Sequence, residues 1–232
     1  MKKKLIVALD VNDLKKAEEL IDILSPVIDI FKIGIAPFTA FGNKVTERIE
    51  KKRKKIFLDL KVHDIPNTVQ SAARNAADKN VFMMNFHCLG GMKMLEAAVK
   101  GARQGVSENP PLLLGVTILT SMKQEDMNAI GISGQVREKV IELALLAKKA
   151  GLDGVVASPL EVKEIKEKAG KEFIVVTPGI RPEWAVKGDQ KRILTPRQAI
   201  QQGADYIVVG RPILEAKDPA KAAALIIEEM EQ

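Results

Sequence analysis

The sequence predicts an α/β protein of the (β/α)8 TIM-barrel class, because short apolar runs alternate with amphipathic helical stretches along its length. The eight apolar runs cover residues 5–9, 30–33, 56–60, 81–86, 112–119, 154–157, 173–176 and 206–209. Dividing 232 residues by eight gives 29 per unit, close to one strand–helix–strand element of roughly 30 residues. Barrels of this class have about 250 residues. We therefore expect one catalytic domain spanning residues 1–232.

The predicted strands are apolar at consecutive positions, which is typical of parallel strands buried on both faces. The stretches between them place apolar residues on one helical face, as in Leu14, Ala17, Leu20, Ile21 and Leu24, or in Val140, Leu143, Ala144 and Ala147. An open doubly wound sheet is the alternative fold. It is disfavoured because no G-x-G-x-x-G motif follows the first strand.

The composition excludes several classes of protein. Hydrophobic residues make up 46% of the chain and charged residues 28%, which are globular values. No apolar run approaches the roughly 18 residues of a membrane span. The basic start leads into an apolar run of only five residues, 5–9, too short for a signal peptide. We therefore expect a cytoplasmic protein without a membrane partner.

The formal net charge of +6 also raises the question of nucleic acid. The basic residues concentrate at 2–4 and 51–55 and are not interleaved with aromatic residues, which make up 4% of the chain. We expect no nucleic-acid partner, although a positive field favours a small anionic substrate. One cysteine and two histidines cannot form a Cys/His cluster, so no metal site or cofactor is expected.

Polar residues gather where the predicted strands end. The first strand ends at Asp10, the second near Lys32, the third at Asp59 and Lys61, and the last at Gly210 and Arg211. In a (β/α)8 barrel these ends meet at one mouth, where active sites of this fold lie. The sequence therefore predicts an active site at that mouth.

The third strand end carries the pattern D-x-K-x-x-D, formed by Asp59, Lys61 and Asp64. Asp59 and Lys61 are two residues apart and share one face of a strand. With Lys32 from the neighbouring strand, two carboxylates and two ammonium groups can alternate in space. A lysine held in this way can protonate a carbanion, and the carboxylate can disfavour a bound anionic group, so the array suits a decarboxylation. A structural salt-bridge network is the alternative.

Residues 59–69 read D-L-K-V-H-D-I-P-N-T-V, and this run resembles a signature of the orotidine 5'-phosphate decarboxylase family in its bacterial form. Further similar segments follow the family's order at residues 7–10, 31–34, 119–122, 177–182, 188–192, 194–196 and 209–213. The resemblance implies cofactor-free decarboxylation of orotidine 5'-monophosphate (OMP) to UMP and carbon dioxide, a step of pyrimidine nucleotide synthesis.

The resemblance also implies roles for single residues around the reacting carbon. Asp10 and Lys32 would hold ribose hydroxyls, and Asp59 would face the substrate carboxylate. Lys61 would give the proton to C6. Asp64, with Thr68 beside it, would reach the site of the other subunit of a homodimer.

The remaining implied contacts concern the pyrimidine and the phosphate. Thr120 would lie near the pyrimidine. The phosphate would be gripped by Arg181, Gln190, Gly210 and Arg211. The loops after strands seven and eight are also the usual phosphate site of the fold, which supports this assignment independently. Residues 178–194 are expected to form a lid over the phosphate.

Two other functions stay open at this point. A metal-dependent sugar-phosphate decarboxylase or aldolase of a related barrel shares D-x-K-x-x-D, but is not expected to share the continuation from His63 to Val69 or the lid with Gln190. A non-catalytic barrel that binds UMP is the other alternative. His63 is expected to be a structural hydrogen-bonding residue, and His87 and Cys88 are expected to pack at the mouth.

Overall fold

The computed structural model describes residues 1, 4–79, 81–105, 109–185 and 194–232. Its eight parallel strands close into one barrel in chain order, so the predicted fold class is confirmed and the open-sheet alternative is wrong. Closure is made by the first and last strands, where Leu5 lies beside Ile207. The strands are β1 (Leu5–Ala8), β2 (Ile30–Gly34), β3 (Lys55–Val62), β4 (Met83–His87), β5 (Leu112–Val116), β6 (Gly154–Val156), β7 (Ile174–Thr177) and β8 (Tyr206–Val209).

Helices alternate with these strands and form the outer layer. They are α1 (Leu14–Leu24), α2 (Ile35–Phe41), α3 (Lys44–Lys51), α4 (Pro66–Asp78), α5 (Gly91–Arg103), α6 (Gln124–Ala129), α7 (Val136–Lys149), α8 (Val162–Ala169), α9 (Pro196–Gln201), α10 (Arg211–Leu214) and α11 (Pro219–Glu231). Side-chain oxygens of Asp13, Thr195 and Asp218 accept backbone N–H groups in the first turns of α1, α9 and α11, which explains where these helices begin. Within the described ranges, no helix is long and apolar enough to cross a membrane.

The apolar run 112–119 predicted the fifth strand, but the strand ends at Val116 and is shorter than the run. Thr117 follows, and its hydroxyl donates to the Val156 carbonyl at 3.2 Å. Ile118 is buried in the outer core rather than paired in the ladder. The apolar run thus continues past the strand because the loop above β5 is itself packed.

The interior of the barrel changes from apolar to charged along the strands. Side chains two residues apart on a strand share a face, so every second residue points inward. The apolar interior cluster consists of Ile6, Ala8, Ile30, Phe57, Met83, Leu114, Val176 and Val208. Two residues further along β2, β3 and β4, the same alternation places Lys32, Asp59 and Asn85 at the carboxyl-terminal mouth.

Helices α4 and α5 pack closely, and Gly101 makes this possible. A Cβ atom at Gly101 would lie 2.0 Å from the Gln70 carbonyl oxygen, so no side chain fits there. The contact fixes α4 against α5. Since α4 begins at Pro66, it also fixes the second half of the exposed segment 63–68.

Candidate active site

Three charged side chains meet at the mouth between β2 and β3. Lys32 Nζ lies 3.2 Å from Asp59 Oδ2, and Lys61 Nζ donates to Asp59 Oδ1 at 2.7 Å. Lys32 and Asp59 are 7% and 8% exposed, whereas a third of the Lys61 side chain (33%) is open to solvent. Each oxygen of one buried carboxylate thus contacts a different ammonium group, and Lys61 has the more exposed side chain of the two lysines.

Asp10 extends this array towards β1. Lys32 Nζ donates to Asp10 Oδ1 at 3.1 Å, while the Asp10 side chain is 57% exposed. Gly34 lies close to this contact, because a Cβ there would be 3.0 Å from Lys32 Nζ and 3.3 Å from Asp10 Oδ1. A side chain at position 34 would therefore crowd the ion pair. The alternation of two lysines and two aspartates predicted from sequence is present, but the second carboxylate within one chain is Asp10 rather than Asp64.

The third strand is irregular where it carries the site. Leu58 is paired with Met84 and Val62 with Phe86, so three residues of β3 lie opposite the single residue Asn85. Lys61 adopts a left-handed backbone with φ of 50°. The sequence correctly predicted that the side chains of Asp59 and Lys61 lie close together, but the regular strand assumed for them is wrong. A bulge brings the two side chains together.

Asn85 contacts both Asp59 and Lys61 and was not among the predicted site residues. Its Nδ2 donates to Asp59 Oδ1 at 2.6 Å, and its Oδ1 accepts the Lys61 backbone N–H at 2.8 Å. The side chain is fully buried. A sequence signal existed, because Asn85 is the one polar residue in the apolar run 81–86.

Asp64 and Thr68 lie outside the array of their own chain. Asp64 is exposed, and its Oδ1 accepts the neighbouring Ile65 N–H at 2.6 Å. In the described part of the chain, Asp64 makes no ion pair within 4.0 Å, and Thr68 is exposed in the first turn of α4. The structure therefore does not bring these two residues to Lys61 within one chain.

The candidate phosphate residues follow β7 and β8. Arg181 is half-buried, and its N–H donates to the Leu194 carbonyl at 3.1 Å, beside a bridge between Ile180 and Leu194. The two ends of the predicted lid are thereby held together. Gly210 precedes α10, and Arg211 is exposed at its first residue. Gln190, together with residues 186–193 of the predicted lid, lies outside the described residues.

Thr120 is exposed in a turn beyond β5. The backbone reverses there, since the Met122 N–H donates to the Leu119 carbonyl at 2.8 Å. Thr120 thus lies on the same end of the barrel as the charged array, in a loop rather than on a strand.

His63 and His87 stack on each other beside the array, with ring centroids 5.5 Å apart. Burial lowers the pKa of His87, and the nearby His63 and Lys61 lower it further. His87 is therefore neutral near pH 7. Burial also raises the pKa of the Cys88 thiol to about 12, so this thiol is protonated and inert.

A closed parallel barrel with lysines and aspartates alternating at its carboxyl-terminal mouth has its charged residues where enzymes of the (β/α)8 class have their active sites. A family model described as orotidine 5'-phosphate decarboxylase / HUMPS family matches residues 3–226. The chain belongs to this family.

Individual relatives agree with the family. The chain is 49% identical over 230 residues to an orotidine 5'-phosphate decarboxylase of Trichlorobacter lovleyi, covering 99% of this chain and 95% of the relative. It is 44% identical to the one of Legionella pneumophila, covering 99% and 100%. The crystal structure of orotidine 5'-phosphate decarboxylase from Lactobacillus acidophilus superposes with a TM-score of 0.87 at 37% identity, covering 99% and 100%.

Proposed function

We propose that the chain decarboxylates OMP to UMP and carbon dioxide in pyrimidine nucleotide synthesis, with Lys61 as the proton donor. The observation that carries this proposal is the buried Asp59 carboxylate, which holds Lys61 Nζ at 2.7 Å and Lys32 Nζ at 3.2 Å. The family and the names of its relatives supply the substrate.

The charges of the array favour bond cleavage in this substrate. A substrate carboxylate beside Asp59 meets a like charge that cannot move away, because Asp59 is held by Lys32, Lys61 and Asn85. The repulsion is relieved when carbon dioxide leaves. The negative charge that then develops at C6 is stabilised by the Lys61 ammonium.

Lys61 supplies the proton that replaces the departing carbon dioxide at C6. The bond from C6 to the carboxylate carbon breaks, its electron pair stays at C6, and carbon dioxide departs. An N–H proton of Lys61 then moves to C6 and completes UMP, and the neutral amine regains a proton from water. Lys32, which contacts both Asp10 and Asp59, would orient the ribose hydroxyls and take no part in the proton transfer.

We further propose that the site is completed by a second copy of the chain. Residues 63–68 are all exposed, and Ile65 at their centre is 66% exposed. Ile35 and Leu89, which follow β2 and β4, are 53% and 38% exposed at the same end of the barrel. An apolar patch around the mouth suits a two-fold interface, through which Asp64 and Thr68 would reach the partner's array.

A cytoplasmic location stays a prediction, checked by cell fractionation.

We propose that the phosphate is bound by Arg181, Gln190, Gly210 and Arg211. Thr120 would lie near the pyrimidine. Arg211 lies exposed at the first residue of α10, directly after Gly210 at the end of β8. The phosphate is not part of the chemistry. Its binding energy can instead hold the reacting carboxylate against Asp59.

The direct test is the loss of OMP absorbance with purified protein in excess EDTA. We expect turnover that EDTA does not change, because every group in the proposed mechanism is a side chain. OMP turnover that EDTA removes would contradict the metal-free mechanism, and a lack of OMP turnover with metal-dependent turnover of a sugar phosphate would favour the related sugar-phosphate enzyme. UMP binding without any turnover would favour a binding protein and contradict the proposal.

We expect Arg211→Ala to lower kcat/KM for OMP by about 10- to 100-fold, the effect of losing one charge-assisted hydrogen bond. The affinity for UMP should fall by a similar factor, while the affinity for uridine, which lacks the phosphate, should not change. Isothermal titration with both ligands checks this. Arg137→Ala is the matched control, because Arg137 pairs with Glu164 at 2.6 Å on the outer helices. An equal loss for uridine would contradict a role at the phosphate.

A further inference from the structure

Asn85 is the buried group that joins the backbone of Lys61 to the carboxylate of Asp59. The bulge in β3 leaves Lys61 out of the regular ladder, since three residues there face Asn85 alone. The Asn85 side chain replaces the missing ladder partner by accepting the Lys61 N–H at 2.8 Å. It makes this bond from a fully buried position, where water cannot substitute for it.

The same bond fixes which way the Asn85 amide points. Since Oδ1 faces the Lys61 N–H, the donating Nδ2 must face Asp59, where it lies 2.6 Å from Oδ1. That oxygen also receives Lys61 Nζ at 2.7 Å, and Asp59 Oδ2 lies 3.2 Å from Lys32 Nζ. The orientation of Asp59 is therefore set by three groups, of which only Asn85 is uncharged.

We propose that Asn85 is a positioning residue for the decarboxylation: it holds the left-handed backbone of Lys61 and the carboxylate of Asp59 in one geometry. The inference rests on the proposed function. Asn85 does not touch the reacting atoms and transfers no proton. Its effect on the rate comes from placing the Lys61 amine and the Asp59 carboxylate, and small misplacements of such groups cost about 100-fold in rate.

Two substitutions separate the two bonds of Asn85. Asn85→Leu removes both bonds at similar volume. Asn85→Asp keeps the acceptor for the Lys61 N–H but places a second carboxylate oxygen against Asp59. The titratable groups around position 85 are Asp59 and Lys61 from β3, Lys32 beyond Asp59, and His87 two residues along β4.

We expect Asn85→Leu to lower kcat by about 100-fold while the affinity for UMP changes by less than about threefold. The Lys61 amide should exchange with deuterium at least about tenfold faster, because its acceptor is gone. Asn85→Asp should keep that amide protected and still lose kcat at pH 7. Its activity relative to the unchanged chain should rise as the pH falls, since a protonated Asp at position 85 can again donate to Asp59.

Met84→Leu is the control on the preceding residue, whose side chain lies in the outer core. It should leave kcat and Lys61 exchange unchanged. Unaltered kcat in both Asn85 variants would overturn the inference, as would equal losses of kcat and UMP affinity. If Asn85→Leu does not fold, the pH response of Asn85→Asp decides alone. If the unchanged chain has no turnover, the proposed function fails. Deuterium exchange of the Lys61 amide then tests the positioning role by itself, and exchange that Asn85→Leu leaves unaltered would overturn that role.

Discussion

Lys61→Ala is expected to lower the turnover of OMP by at least about 10⁴-fold, the largest effect of any single change considered for this site. The substitution removes both the proton donor and the cation next to the developing carbanion, and either contribution alone is worth about 10² to 10⁴ in rate. The affinity for UMP should stay measurable, because the contacts proposed for the phosphate and ribose do not involve Lys61.

Steady-state turnover and UMP titration on the same preparation check this expectation. Lys54→Ala is the matched control, since Lys54 directly precedes β3 and pairs with Asp29 at 3.1 Å at the opposite end of the barrel. A Lys61→Ala protein within tenfold of the unchanged rate would remove Lys61 from the chemistry. The array would then be a structural salt-bridge network.

Mixed dimers are expected to regain activity from two inactive chains. If Asp64 completes the partner's site, a dimer of one Lys61→Ala chain and one Asp64→Asn chain contains one intact site. That site combines Lys61 of the second chain with Asp64 of the first. Random pairing makes half of the dimers mixed, with one of their two sites intact, so the specific activity should reach about a quarter of the unchanged value.

Co-expression of the two chains with different affinity tags checks this, because the unfractionated protein should have about a quarter of the unchanged activity and the purified mixed dimer about half. Lys61→Ala paired with Asp59→Asn is the control. Both of these residues serve their own chain's site, where they lie 2.7 Å apart, so no intact site can form. Activity in the control pair, or none in the first pair, would contradict a site shared between subunits.

The barrel could be predicted from the sequence because its strands consist almost entirely of apolar residues. Each apolar run is buried on both faces, and the spacing of about 29 residues leaves room for one helical layer between strands. Strand five was predicted three residues too long, since Ile118 is apolar for reasons of loop packing rather than pairing.

The charged residues of the site could be predicted because they interrupt apolar strands at one end. Two features of the site could not be predicted from the local sequence pattern. The bulge at residues 59–61 depends on the register between β3 and β4, which no local pattern in either strand encodes. The position of Asp64 likewise depends on the turn that leads into α4, which carries its side chain away from Lys32 and Lys61. The D-x-K-x-x-D pattern alone grouped Asp64 with the array of its own chain, and only the family resemblance implied that it serves the partner's site.

The left-handed backbone of Lys61 also bears on how the chain can evolve. A non-glycine residue with φ of 50° stores backbone strain, of order 1–3 kcal/mol, which the surrounding structure must offset. Glycine at position 61 would relieve this strain, but it would also discard the amine and take one of two cations from the buried Asp59 carboxylate. The strained backbone is therefore retained by the same ion pair that the proposed chemistry uses. The evolution of position 61 is thus constrained twice, by the proposed proton transfer and by the charge of Asp59.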